Sequence, residues 1–500
     1  MKNSILNYKT WLIIISLFSI QSIILTTPIN AKKIPNGISI LLDGDFPDPT
    51  IVKDGDNYYM TTSFGGFPSL MIWQSNDLLH WKRLDYALKT PVAGAVWAPE
   101  LIKHDGTFYL YFPAGGHIYV MTATNPAGPW SNPQIIEGVS GIDPGHLVDK
   151  NGNRYLYIDN GRVVQLSSDG LSISGKETKV YDGWKFSNNY GVECFCLESP
   201  KMLYRNGYYY IISAQGGTGG PATSHMASVA RSKSPFGPFE DSPYNPLIKT
   251  FSPFETWRSK GHATIFEGPK GQWYAIYHGY ENGHLPMGRK TLLEPVVWTQ
   301  DGWIKSGIKN TKKAKDYFFT ENTRPKNDDF SSGTLNKQWT FTNANAYNNY
   351  KLQNKCLTIM CKQGNINGLM LPMCDKNFEV QFRIIPDQNV ETGFVLYYDK
   401  NYYAGMILKN GIISGIHKNR QPFGDKISIS DTSYFKLTIL NYNVYISYSK
   451  DGKTWTSYPD AFDVSGYHTN ILENFGSLKI AVIGDGNGKI QIDDFKYRTL

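Results

Sequence analysis

The segment Glu198–Ile211, "ESPKMLYRNGYYYI", places an acidic residue and a proline ahead of an Asn206-Gly207 pair and four strand formers. Asn-Gly favours the positive-φ positions of a tight hairpin turn. The alternating aromatic and aliphatic residues around it fit two paired strands. A carboxylate at the mouth of a buried strand is costly unless it is paired, hydrogen-bonded or needed for chemistry. The same punctuation recurs in "KDGDNYYM" (Gly55), "HDGTFYLYF" (Gly106), "KNGNRYLYI" (Gly152) and "PKGQWYAIY" (Gly271). With Gly207, successive turn glycines lie 51, 46, 55 and 64 residues apart, room for four short strands per unit. That is the size of a propeller blade. Helical periodicity is absent between Ile34 and Trp303, so residues 32–308 are expected to form an all-β, five-bladed propeller.

Counting back from each turn finds the residues at the strand mouths. Nine residues before Gly152, Gly207 and Gly271 stand Asp143, Glu198 and His262; seven before Gly55 stands Asp48. Nine and seven share parity, so one strand face is implied. Trp97 holds the corresponding place in the second unit. If these strands are innermost, all five side chains meet near the axis. Pro49, Pro99, Pro144 and Pro200 fit the first residue of a strand, where no ladder donor is needed. A single Asp-Pro pair reads as an ordinary turn start; repetition at matched register favours a shared pocket.

Three carboxylates with aromatic walls suit glycosidic bond cleavage, in which one carboxylic acid protonates the departing oxygen and a carboxylate activates water or attacks. Glu198, flanked by Phe195, Leu197 and Met202, fits the acid, because apolar surroundings and nearby negative charge keep a carboxyl protonated. Asp48 fits the base, and Asp143 could raise the acid's pKa and hold it in place. Two rivals use the same residues. Hard cations favour carboxylate oxygens, although a catalytic zinc site needs more histidines than His262 supplies. A non-catalytic glycan-binding propeller would need no acid, base and modulator together.

The motifs "GDFPDPTIVKDGDNYYMTTSF", "VWAPELIKHDGTFYLYF", "GIDPGHLVDKNGNRYLYI", "LESPKMLYRNGYYYIISA" and "MGRKTLLEPVVWTQDGW" resemble, in order, the signatures of glycoside hydrolase family 43. The resemblance covers roughly Asp43 to Trp303. It implies a five-bladed propeller and an inverting mechanism, with Asp48 as general base, Asp143 as pKa modulator and Glu198 as general acid. It further implies that Arg289 reaches the terminal sugar, that His262 binds water, sugar or a cation, and that Trp97 and Phe64 line the sugar pocket. No cofactor is implied for the chemistry, and a calcium or sodium ion near His262 is the one expected guest. The implied substrates are oligo- or polysaccharides of plant cell walls ending in β-D-xylose or α-L-arabinofuranose. Glu193-Cys194 resembles the acid motif of retaining, invertase-like propellers, but no Asn-Asp-Pro or Arg-Asp-Pro accompanies it, and Ser-Pro-Lys after Glu198 suits family 43.

The rest of the chain sets the context. A net charge of +7 is spread over 500 residues with no basic stripe, which argues against nucleic acid. Residues 1–31 place Lys2 and Lys9 before an apolar run and small residues, the layout of a secretory signal peptide. The mature chain is therefore expected to be periplasmic or secreted, without a membrane anchor. Five cysteines are few, and Cys194 and Cys196 in an extended strand would not bridge easily, so no disulfide is expected to hold the fold. Residues 309–327 read as a polar linker. From 328 to 500, short alternating strands such as "NFEVQFRII" and "TGFVLYYD" predict a β-sandwich, similar to the concanavalin-type domain appended to family 43 β-xylosidases, where it helps close the pocket. Nothing in the sequence fixes an oligomeric state.

Overall fold

A computed structural model describes residues 34–308, 315–417, 421–429, 433–472 and 474–500. The leader expected at 1–31 and residues 309–314 of the expected linker lie outside the described residues. The described chain is almost entirely β, with a five-bladed propeller followed by a sandwich.

Each of the first four blades is an antiparallel meander whose inner strand follows a mouth residue or, in the fourth, begins with it: Thr50–Asp54, Glu100–His104, Gly145–Val148 and Glu198–Arg205. Blade five is built from both ends of the propeller segment. Its inner strands, Trp257–Glu267, Trp273–Glu281 and Arg289–Trp298, are joined at the outside by Ile38–Leu42, which pairs antiparallel with the last of them. All five residues of Ile38–Leu42 are buried, so closing the ring also buries an apolar strand. The segment read as a linker is not merely a connector: Asp316–Phe318 adds to this sheet, parallel to Ile38–Leu42.

Two sheets of seven strands each form the sandwich, wrapped around a core that includes Trp339, Phe382, Phe394 and Phe495. Its docking on the propeller is specific. Phe67 and Phe341 exchange backbone hydrogen bonds of 2.9 and 2.7 Å, and the Leu478 N–H donates to Pro286 O at 2.8 Å. Asn470 makes two hydrogen bonds to the Gly220 backbone, and Lys376 pairs with Glu281 at 2.5 Å.

At the hub the inner strands share one kink. Asp48, Asp143 and His262 each have φ 56°, Ser199 has 51° and Ala98 27°. These five positions, each two residues before the first pair deep in the sheet, are the true register. Counting from the glycines misplaced two of them by one residue, because the hairpin loops differ in length; Ala98 and Ser199 occupy the kink, and Trp97 and Glu198 immediately precede it. Two residues further along, Thr50, Glu100, Gly145, Lys201 and Thr264 form a deeper ring. Lys201 Nζ lies 2.7 Å from Glu100 Oε2 and donates to the Pro99 carbonyl at 3.0 Å, while Thr50 Oγ1 donates to the same carboxylate at 3.0 Å. Gly145 must be glycine here: a Cβ would fall 1.8 Å from Pro200 O. The axis beneath the mouth residues is thus filled by a buried ion pair.

The cysteine expectation needs correcting. Cys194 and Cys196 form a disulfide. The chain there is not an extended strand: Cys196 has φ 39°, and this kink brings two cysteines, separated by one residue, close enough to bond. The bridge ties a loop rather than the fold, and Cys356, Cys361 and Cys374 are free.

Candidate active site

A cavity of about 270 Å³ opens at the hub, lined by Asp48, Asp143, Glu198, His262 and Arg289 together with Trp97. Sequence reading therefore placed six of its residues in one pocket. Phe64 is displaced from that set: it stacks on Phe46 with centroids 5.5 Å apart and lines an adjoining cavity that shares Trp97 and Arg289. Glu193, the rival acid, is exposed at the cavity rim, whereas Glu198 stands with the aspartates.

The backbone explains why aspartate and histidine recur. Left-handed conformations are uncommon for residues other than glycine, with Asp, Asn and His among the most tolerated. Such strained positions persist where the surroundings fix them, often at functional sites. The kink turns each side chain off the sheet and toward the axis.

Asp48 is held from all sides. Ser63 Oγ donates to its Oδ2 at 2.6 Å, and the Ala98 N–H in turn donates to Ser63 Oγ at 2.6 Å. Around Oδ1 lie His278 Nδ1 at 3.1 Å, His262 Nδ1 at 3.4 Å and Arg289 Nη1 at 3.4 Å. Thr218 Oγ1 contacts the other nitrogen of His278 at 3.1 Å, and His225 stacks on that ring with centroids 5.1 Å apart. Ser63, Thr218, His225 and His278 carried no sequence signal that was used, although His278 sits opposite Gly261, one residue from the mouth histidine, in the neighbouring strand.

Charge divides the three carboxyls. Burial alone would raise the pKa of Asp48, but the Arg289 guanidinium and the contact with His278 hold it well below the carboxylate range. Burial pushes Glu198 well up, and the charges of Asp143 and Asp48 add to that shift. Asp143 is also raised, by burial and by Asp48, but Lys201 and the Ser199 N–H oppose the shift. At Glu198 the Arg289 guanidinium opposes the shift in turn, but it is outweighed by burial and by the charges of Asp143 and Asp48, so Glu198 holds its proton. His262 is buried and held neutral, its pKa well below the ordinary histidine value, by desolvation and then by Lys201 and the neighbouring imidazoles.

The cation expected at His262 meets a poor donor set. Ligand atoms of Asp48, His262 and His278 lie within 4.8 Å of one another, and His262 Nε2 is buried without a protein partner. However, the set offers two ring nitrogens and a single carboxylate already bonded to Ser63 and facing Arg289, whereas calcium takes six to eight oxygens. These residues do not suit calcium, and the proton chemistry below needs no metal.

The sandwich contributes one wall. Phe475 lines the cavity and its ring centre lies 5.8 Å from the Arg289 guanidinium.

Comparison with known proteins agrees with this geometry. The family model described as glycosyl hydrolases family 43 matches residues 39–304. This chain belongs to that family. A second model, the β-xylosidase C-terminal concanavalin A-like domain, matches residues 327–488. Across 92% of the chain, this family 43 glycosidase is 31% identical to a non-reducing end α-L-arabinofuranosidase, BoGH43B of Bacteroides ovatus, 94% of which is covered. It is 26% identical to a β-xylosidase of Bacillus subtilis, over 93% of this chain and 99% of that one. Among solved structures, the family 43 protein BlXynB of Bacillus licheniformis superposes with a TM-score of 0.79 at 26% identity, covering 93% of this chain and all of the other. The chain is therefore a glycoside hydrolase acting on oligo- or polysaccharide.

Proposed function

We propose that the enzyme removes a terminal pentose, β-D-xylose or α-L-arabinofuranose, from the non-reducing ends of plant cell-wall glycans, with inversion. One observation carries the reading: a single small cavity holds a carboxyl kept ionised, Asp48, and another kept protonated, Glu198. Glu198 donates its proton to the departing glycosidic oxygen. Asp48 takes a proton from the water that attacks the opposite face of the sugar. Asp143, whose charge raises Glu198, keeps the acid loaded. Arg289 both steadies the ionised base and offers donors to the sugar hydroxyls, and Trp97 and Phe475 supply flat apolar walls. The cavity volume lies below the range of roughly 300–1,000 Å³ usual for ligand pockets, which favours one terminal sugar over a threaded chain. The two relatives that span almost the whole chain carry the two activity names, so both pentoses stand as substrates.

Initial rates on a panel of nitrophenyl glycosides test the substrate; release of neither pentose would reject it. Proton NMR of the first-formed sugar tests inversion. Glu198→Gln should cost at least ~10²-fold in kcat while the sugar still binds, and an unchanged kcat would refute the acid assignment. We also propose export, on the charge and hydropathy layout of residues 1–31; N-terminal sequencing of the chain recovered outside the cytoplasm tests it.

A further inference from the structure

Beside the catalytic cavity lies a second one of about 360 Å³, sharing Trp97, Arg289 and Phe475 with it. Both domains build its far end: Gly65 and Phe67 come from blade one and Lys479 from the sandwich. Lys479 is only 4% exposed. Its ammonium donates to the Ser477 carbonyl at 3.2 Å and meets the Ser477 hydroxyl at 3.4 Å, which leaves one of three donors unused. Among the described residues no carboxylate oxygen lies within 4.0 Å of it.

Other deeply buried lysines of this chain do better. Lys201 pairs with Glu100 at 2.7 Å, and Lys290 pairs with Asp43 at 2.6 Å and Glu281 at 2.9 Å. Lys260 meets Glu255 at 3.3 Å; Lys249, which like Lys479 has no carboxylate in contact among the described residues, donates to the Thr223 carbonyl and lies 4.5 Å from the ring centre of Tyr190. A buried ammonium without counter-charge is disfavoured unless something supplies one. Asp45 lines the same cavity, but its Oδ1 accepts the Arg289 backbone N–H at 2.9 Å, and it and Asp399 favour the lysine charge only from beyond contact. Gly65 faces the ammonium without a side chain; a Cβ there would stand 3.4 Å from Nζ, at ordinary contact distance. Phe64 and Phe67 give the cavity flat apolar faces of the kind a sugar ring covers.

We propose that this cavity is a second carbohydrate subsite for a unit bearing a carboxylate, a uronic acid, whose charge Lys479 receives while its ring packs on the aromatic wall. Continuity through Trp97 and Arg289 lets that unit belong to the same glycan whose terminal sugar occupies the catalytic cavity. The substrate part of the inference rests on the hydrolase reading; the binding part does not.

The test uses the full chain. Calorimetry with glucuronate, glucose and acetate should show glucuronate binding at least ~10-fold more tightly than either of the others. Equal affinity for glucose would overturn the charge recognition, and equal affinity for acetate would overturn the sugar subsite. Lys479→Met should erase the preference for glucuronate, while kcat/KM on nitrophenyl pentosides stays within ~2-fold and Tm is unchanged; a preference that survives overturns the role of Lys479. Should that variant not fold, the comparison of the three ligands on the unaltered enzyme still decides. Glucuronate-substituted xylo-oligosaccharides should likewise be cleaved faster than unsubstituted ones. Selective glucuronate binding without pentose release would sink the hydrolase reading alone, and pentose release without that selectivity would sink this inference alone.

Discussion

At the scale of single residues, three carboxyls of similar intrinsic acidity take different protonation states because their neighbours differ. The base needs to be ionised and the acid protonated, so activity is expected to fall on the alkaline side as Glu198 loses its proton. Asp143→Asn removes a negative charge that raises Glu198, so the acid's pKa must fall and the alkaline limb of the kcat profile must move to lower pH. A limb that stays in place or moves upward would show that Asp143 does not tune the acid. Asp48, Asp143 and Glu198 were legible because an acid beside a proline recurs ahead of a turn, and repetition outweighs the weakness of each instance. Ser63 and His278, which grip Asp48 as closely as Arg289 does, were not legible. His278 lies in the second strand of blade five and Ser63 just past the second strand of blade one, and only the pairing of those strands with their inner neighbours brings them to the mouth. The Cys194–Cys196 bridge was hidden for a related reason: a two-residue spacing closes only when the backbone leaves the extended region, and no local residue announces that kink.

At the scale of elements, the inner strands do two jobs. Their first residues kink to present chemistry, and two residues later the same strands seal the axis with Lys201, Glu100 and Thr50. A buried ion pair contributes little net stability when intact but is expensive to halve. Lys201→Met should therefore destabilise the protein by about 3–5 kcal/mol in denaturant unfolding, and adding Glu100→Met should recover part of that loss. If the double variant is no better than the single one, the pair is not what fills the hub. The first hairpin of each blade was readable from its turn glycine, preceded by Asp or Asn in four blades and by Lys270 in the fifth. What failed was the ruler: offsets counted from turns of unequal length put Trp97 and Glu198 at the kink, which belongs to Ala98 and Ser199.

At the scale of the whole molecule, the propeller does not finish its own active site. Phe475 arrives from the sandwich, 186 residues beyond Arg289 in sequence, which it faces in space. No pattern in one sequence joins such residues, so the resemblance could suggest that the sandwich helps close the pocket while the residue that does so could not be named. Phe475→Ala should raise KM by about 10-fold, some 1.4 kcal/mol, with a smaller effect on kcat, because it removes a wall and leaves the proton donors in place. A KM that does not change would make the ring a bystander.

The strand that closes blade five from the N-terminal side has a bearing on how the molecule is born. Ile38–Leu42 must find Arg289–Trp298, so a ribosome has to deliver some 250 further residues before the first strand meets its partner. Contacts so distant along the chain form slowly. Until then a five-residue strand, four of its residues apolar, waits exposed with an open hydrogen-bonding edge, a template for mispairing. The propeller therefore cannot lock its ring until the tail end of blade five has emerged.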